Sequence, residues 1–204
     1  MLFYFHNGSL FGREPINTIM RNAILSRTRY VTETAKWLDD NVNPNVFVVA
    51  TLKQSVVTSY NGYSQRVMGN EDIYRGACRQ ALCRLSRDLY GTTEWKRHRR
   101  IVPNIPTLEG NGCGRRLSNV HSPLSLDFVN ATRANGKKVR YHYNILLQRP
   151  DWIDLGNFET KFRKSWDENP WAMPDLFFEE RSGDCVSYAL KEGPEALDVM
   201  SLSF

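Results

Sequence analysis

The segment Pro44-Asn-Val-Phe-Val-Val-Ala-Thr-Leu52 constrains the fold more than any other. Its β-branched residues read as a buried central strand. Such a strand obliges the rest of the chain to supply neighbouring strands and helices to cover them. Glu71 to Leu89 is the clearest helix, with Ile73, Ala77, Ala81, Leu85 and Leu89 recurring near helical spacing. Glu71 and Asp72 stand at its start, where the helix dipole favours acids. Phe158, Phe162 and Trp166 form an i, i+4, i+8 stripe on a second helix, Phe158 to Trp166.

Three further strands are expected. Arg99 to Leu108 contains Pro103 and Pro106, which predict an edge position or bends. Val139 to Leu147 and the short Leu176 to Glu180 complete the set. Asp184 to Glu192 reads as a last helix, capped by Ser182 or Asp184 and closed by Gly193. Gln54 to Asn70 is polar and reads as a loop, and Ile16 to Trp37 carries a weak helical pattern. The order predicts an α+β fold, a central antiparallel β-sheet flanked by helices. Residues 1–45 read as an N-terminal accessory segment before a domain spanning 46–204, with an insertion at about 110–138.

The 204 residues suffice for a real core, and 41% apolar with 12% aromatic content excludes a disordered chain. The net charge is only +5, yet the cations cluster in Lys96-Arg-His-Arg-Arg100, Arg115-Arg116 and Lys137-Lys138-Val-Arg140. Such patches suit a phosphate-binding surface, although charge alone fits a solvated face better. Cys78, Cys83, Cys113 and Cys185 show neither zinc spacing nor a paired motif and fit reduced thiols. No signal peptide and no membrane-length apolar run is recognisable, so a soluble cytoplasmic protein is expected.

Alternate side chains of a strand share a face, so His142 and Asn144 point one way and Tyr141 and Tyr143 the other. An imidazole nitrogen and an amide oxygen hold a hard divalent cation once a carboxylate joins them. Glu109 is the best third ligand, because a neighbouring antiparallel strand brings it alongside His142; His121 and Asp127 are rivals. Tyr188 and Lys191, three apart, share a side of the last helix, while Val186, Ala189 and Leu190 pack inward. Alone, His142 reads as a hydrogen-bonded strand histidine, Tyr188 as core and Lys191 as solvated. Together they suggest a phenol that attacks a phosphate polarised by a metal and an ammonium.

In order and spacing these segments resemble the HUH-endonuclease superfamily, the rolling-circle replication initiators and related transposases. Phe47-Val-Val-Ala-Thr-Leu-Lys53 looks like its first motif, Tyr141-His-Tyr-Asn-Ile-Leu-Leu147 with Arg149-Pro150 like its metal motif, and Val186-Ser-Tyr-Ala-Leu-Lys191 like its V-x-x-Y-x-x-K tyrosine motif. The resemblance covers roughly residues 46 to 192. It implies a ferredoxin/RRM-like HUH nuclease fold. Tyr188 would be the nucleophile that forms a 5′-phosphotyrosine, and Lys191 would position the phosphate. His142, Asn144 and Glu109 would hold Mg²⁺ or Mn²⁺.

Asn144 stands where the family usually has a second histidine, and one tyrosine in the motif implies the single-tyrosine class. Thr51, Lys53, Lys96, Arg97, Arg99, Arg100, Lys137, Lys138 and Arg140 are the expected DNA contacts. The expected partner is single-stranded or hairpin origin DNA of a plasmid or phage-like element, and no membrane. No Walker-type phosphate loop is present, so a host helicase is expected. A transposase or mobilisation relaxase would use the same chemistry. A non-cleaving single-stranded nucleic-acid binder of the same fold, stacking bases on Tyr141 and Tyr143, is the alternative of a different class.

Overall fold

In β1 (Val46–Leu52) the side chains of Val46, Val48, Ala50 and Leu52 are fully buried on one face, and Phe47, Val49 and Thr51 are half-buried on the other. The computed structural model of the protein describes residues 16–98, 100–110, 141–191 and 193–204. Around β1 the chain runs α1 (Ile16–Val42), then β2 (Ser55–Tyr60), β3 (Tyr63–Met68), α2 (Glu71–Tyr90) and α3 (Thr92–His98). It continues as β4 (Asn104–Glu109), β5 (His142–Leu147), α4 (Leu155–Asp167), β6 (Ala172–Glu180), α5 (Cys185–Ala189) and a 3₁₀ turn at Pro194–Ala196. A four-stranded antiparallel sheet in the order β4-β5-β1-β6 makes this an α+β fold with β1 in its interior.

Helices cover both faces. On one, Tyr74, Ala77, Ala81, Leu82 and Leu85 of α2 and the Phe158, Phe162, Trp166 stripe of α4 pack on the buried row of β1. On the other, Val186, Ala189 and Leu190 from α5 and its exit meet Ile105 and Leu146. Ala35, Leu38 and Val42 of α1 join that second cluster. They come from the end of the 1–45 segment, whose first fifteen residues lie outside the described ones. Each large apolar side chain in these layers contributes about 1.5–3 kcal/mol by its burial.

The helix expected at Glu71 starts there because the Asn70 side chain accepts the Ile73 N–H at 2.9 Å, and it ends at Gly91, whose φ of 83° suits glycine. β4 is an edge strand, as its prolines predict. It begins only at Asn104, after Pro103, rather than at Arg99. The carbonyl of Pro106 faces outward and accepts the Asp198 N–H at 2.8 Å.

Three further elements differ from expectation. Gln54 to Asn70 is not a loop but a hairpin of β2 and β3, turned by Asn61-Gly62 with φ of 50° and 80°. Positive φ at two consecutive residues is the type I′ signature that Asn-Gly favours. β6 starts at Ala172, four residues before the expected Leu176, because its pairing with β1 runs on to Leu52. The last helix shortens to five residues, since the N–H groups of Lys191 and Gly193 turn back to Tyr188 and Leu190. Among the described residues no helix is long and apolar enough to cross a membrane.

Candidate active site

Antiparallel register aligns Glu109 with His142, Thr107 with Asn144, and His142 in turn with Thr51 of β1. Because side chains alternate, all five lie on the sheet face that α5 covers, opposite α2. The neighbourhood expected for Glu109 beside His142 is thus present.

Glu109 is the centre of the cluster. It is only 6% exposed, and each of its oxygens is occupied. Oε1 accepts the Asn144 amide Nδ2–H at 2.6 Å, while Oε2 lies 3.5 Å from His142 Nε2 and 3.0 Å from Lys191 Nζ. Burial pushes the Glu109 carboxyl up, but hydrogen bonds and charge from His142 and Lys191 outweigh it and hold the group below its ordinary range. Burial pulls the Lys191 ammonium down, and its contacts with Tyr188 and Glu109 outweigh that and raise it. Carboxylate and ammonium therefore stabilise one another in their charged forms.

Tyr188 reaches the cluster through Lys191, whose Nζ sits 3.8 Å from the centre of the tyrosine ring. The ring is 50% exposed, so its hydroxyl-bearing side chain is open to a partner molecule. α5 is held for this by its own sequence. The Asp184 side chain caps it by accepting the Ser187 N–H at 3.1 Å, while buried Val186, Ala189 and Leu190 fix its inner side. Phe47 meets Tyr188 edge-on at 6.0 Å and Phe177 at 6.4 Å. Neither phenylalanine follows from motif spacing; their alternate positions on β1 and β6 were the available signal.

A carboxylate, an imidazole nitrogen and an amide meet here, a donor set that fits a hard divalent cation. Asn144 now turns its N–H toward Glu109, so ligation through Oδ1 requires the amide to rotate by half a turn. Among the described residues no group of three His, Cys, Asp or Glu side chains converges as a metal site. The set is complete only with the amide of Asn144.

Other expected residues are dispersed. Thr51 is in register beside His142, and Lys53, two residues on, is exposed and donates to the Pro170 carbonyl at 3.1 Å. Lys96 and Arg97 are carried by α3, which packs on α2, and Arg100 follows with its guanidinium 4.6 Å from the centre of the Tyr90 ring. They belong to the α2 side of the sheet and are not joined to the Tyr188 cluster, because the helix that carries the first two packs behind the sheet. Arg99, Lys137, Lys138, Arg140, His121 and Asp127 lie outside the described residues. Tyr143 is fully buried and donates to Asp198 Oδ2 at 3.1 Å, and half-buried Tyr141 packs 5.0 Å from Tyr74. These two rings are core, which corrects the expectation that they offer a stacking surface.

No family model, curated protein or solved structure matches this chain.

Proposed function

We propose that the protein is a metal-dependent, single-tyrosine DNA endonuclease and strand transferase of the HUH type, which starts rolling-circle replication of a plasmid or phage-like element. The observation that carries this reading is the meeting of Tyr188 and Lys191 with Glu109, His142 and Asn144, from three segments distant in the chain. The sheet with helices on both faces is compatible with a ferredoxin/RRM-like HUH nuclease fold.

In this mechanism Tyr188 Oη attacks the scissile phosphorus. The new O–P bond gives a 5′-phosphotyrosine as the P–O3′ bond breaks. The phenolic proton passes to solvent and the departing 3′-oxygen takes one up, so charge and protons balance. Strand joining is the reverse, with a free 3′-hydroxyl attacking the phosphotyrosine. Lys191, beside the tyrosine ring, stabilises the charge gathering on the phosphate. Glu109, held anionic, and His142, with the Asn144 oxygen, would hold Mg²⁺ or Mn²⁺. When bound, that ion supplies polarisation of non-bridging phosphate oxygens. Unwinding ahead of the nick falls to a host helicase. A transposase or mobilisation relaxase would share every step.

A specific observation favours a second reading. Glu109 already has Asn144, His142 and Lys191 as partners, so the cluster is satisfied as a structural network. That suits a non-cleaving single-stranded DNA-binding domain. Labelled single-stranded DNA containing the element's origin, incubated with the protein and Mn²⁺ and run on a denaturing gel, separates the two. A metal-dependent covalent adduct that Tyr188→Phe abolishes is the expected result. Salt-sensitive binding without any adduct selects the second reading.

A further inference from the structure

The β2–β3 hairpin is an element without a role in the cluster, and it grows from the same end of the sheet. The row Glu109, His142, Thr51 closes that end, and β2 begins four residues after Thr51. The root of the hairpin is fixed. Gly69 N–H donates to the Gln54 carbonyl at 2.8 Å, and the Tyr74 hydroxyl donates to the Lys53 carbonyl at 3.0 Å. Val56 and Val67 pack on the first core. A Cβ on Gly69 would lie 2.0 Å from the Tyr74 hydroxyl, so this close approach admits only glycine.

Beyond the root the ribbon is open. Tyr60 and Tyr63 pair across the turn on one face and are 79% and 81% exposed. Two large rings at directly opposed strand positions form a contiguous exposed patch, which marks an interaction site more than a scattered single residue does. From Thr51 to Asn70 the only charged residues are Lys53 and Arg66, both cationic. Exposed rings beside sparse cations suit unpaired bases, which stack on aromatic faces; gripping a duplex backbone takes denser charge.

We infer that the tip of the β2–β3 hairpin, Tyr60 with Tyr63, is a base-stacking site for single-stranded DNA flanking the scissile phosphate. This rests on the reading of the chain as a single-stranded DNA enzyme. Six residues per strand make the ribbon about 20 Å long. At ~3.4 Å per stacked nucleotide a ribbon of that length spans about six bases.

The test is fluorescence anisotropy of a labelled oligothymidylate with the full chain, in chelator. Such binding needs neither metal, Tyr188 nor an origin sequence, so it can succeed where nicking fails, and the reverse. The double variant Tyr60→Ala, Tyr63→Ala, with its melting temperature checked, is expected to lose about tenfold or more in affinity. Tyr60→Phe with Tyr63→Phe keeps both rings and should bind as the parent does. An unchanged affinity in the double alanine variant overturns the inference. So does an equal loss on duplex DNA, or a change in oligomeric state with DNA affinity intact, which would assign the tip to self-association.

Discussion

On the Glu109 carboxylate three donors meet, and one of them, Lys191, also touches Tyr188. That divides the roles of its neighbours. Tyr188→Phe removes one oxygen and no packing, so covalent adduct should vanish while DNA binding and melting temperature stay at parental values. Lys191→Met removes charge but keeps the nucleophile; adduct should still form, about 10²–10³-fold more slowly, in single-turnover assays. If both variants lose adduct completely, Lys191 is more than a charge stabiliser. Asn144→His would place an imidazole where the amide now bonds Glu109, and Mn²⁺ affinity should rise about tenfold by calorimetric titration. No change would remove Asn144 from the ligand set. At this scale the cluster was legible, because strand alternation and antiparallel pairing decide which side chains meet. The basic run at Lys96 to Arg100 was not, since charge density carries no information about which layer a helix joins.

Among the elements, α5 is the weakest support for its task, with five residues and a turn that closes at once. So short a helix owes its stability to its cap and its buried side. Hydrogen bonds from Ser187 hold the Asp184 carboxyl below its ordinary 3.8. A carboxyl depressed on folding stabilises the folded state fully above its ordinary value and loses that contribution as pH falls through the folded one. Loss of the N-cap in Asp184→Ala should cost about 1 kcal/mol at neutral pH, of which the charge of this exposed carboxyl supplies a solvent-screened part. Urea denaturation of parent and variant checks the sign, because the gap should narrow on acidification below 3.8. A gap independent of pH would mean that the cap acts without its charge. Element lengths were the least legible feature. The capping residue at Asp184 was readable, but the early end of α5 depends on Lys191 turning toward Glu109, a tertiary contact. The hairpin was hidden by polar strands with little alternation, although Asn61-Gly62 marked its turn.

Across the molecule, the C-terminal segment joins layers that no strand or helix pattern in the sequence connects. Leu197 bridges to Thr107 and Ser203 to Asn104 along the outer edge of β4, which thereby gains backbone partners on its open side. Between them Asp198 is fully buried, 3.4 Å from Arg75 of α2, and accepts hydrogen bonds from Tyr143 of β5 and Ser201. One carboxylate thus ties the tail to a helix and to the strand beside Asn144. Burial, with Cys78 and Asp198 adding to it, drives the Tyr143 phenol far above its ordinary range, so it stays a neutral donor. Asp198→Ala would strand the buried Tyr143 hydroxyl and leave Arg75, still reached by Glu71 at 4.0 Å, with a weaker partner. Arg75 keeps 24% of its side chain in water, so the loss is smaller than for a fully buried pair, about 2–4 kcal/mol with the stranded hydroxyl included. For a chain of this size that lowers the melting temperature by roughly 10 °C. Asp198→Asn keeps an acceptor for Tyr143 and should lose less. At a temperature where Asp198→Ala is folded, adduct formation should match the parent, since Asp198 lies on the face of the sheet opposite Tyr188. Lost adduct in a folded variant would instead show that the tail, through β4, sets the position of Glu109.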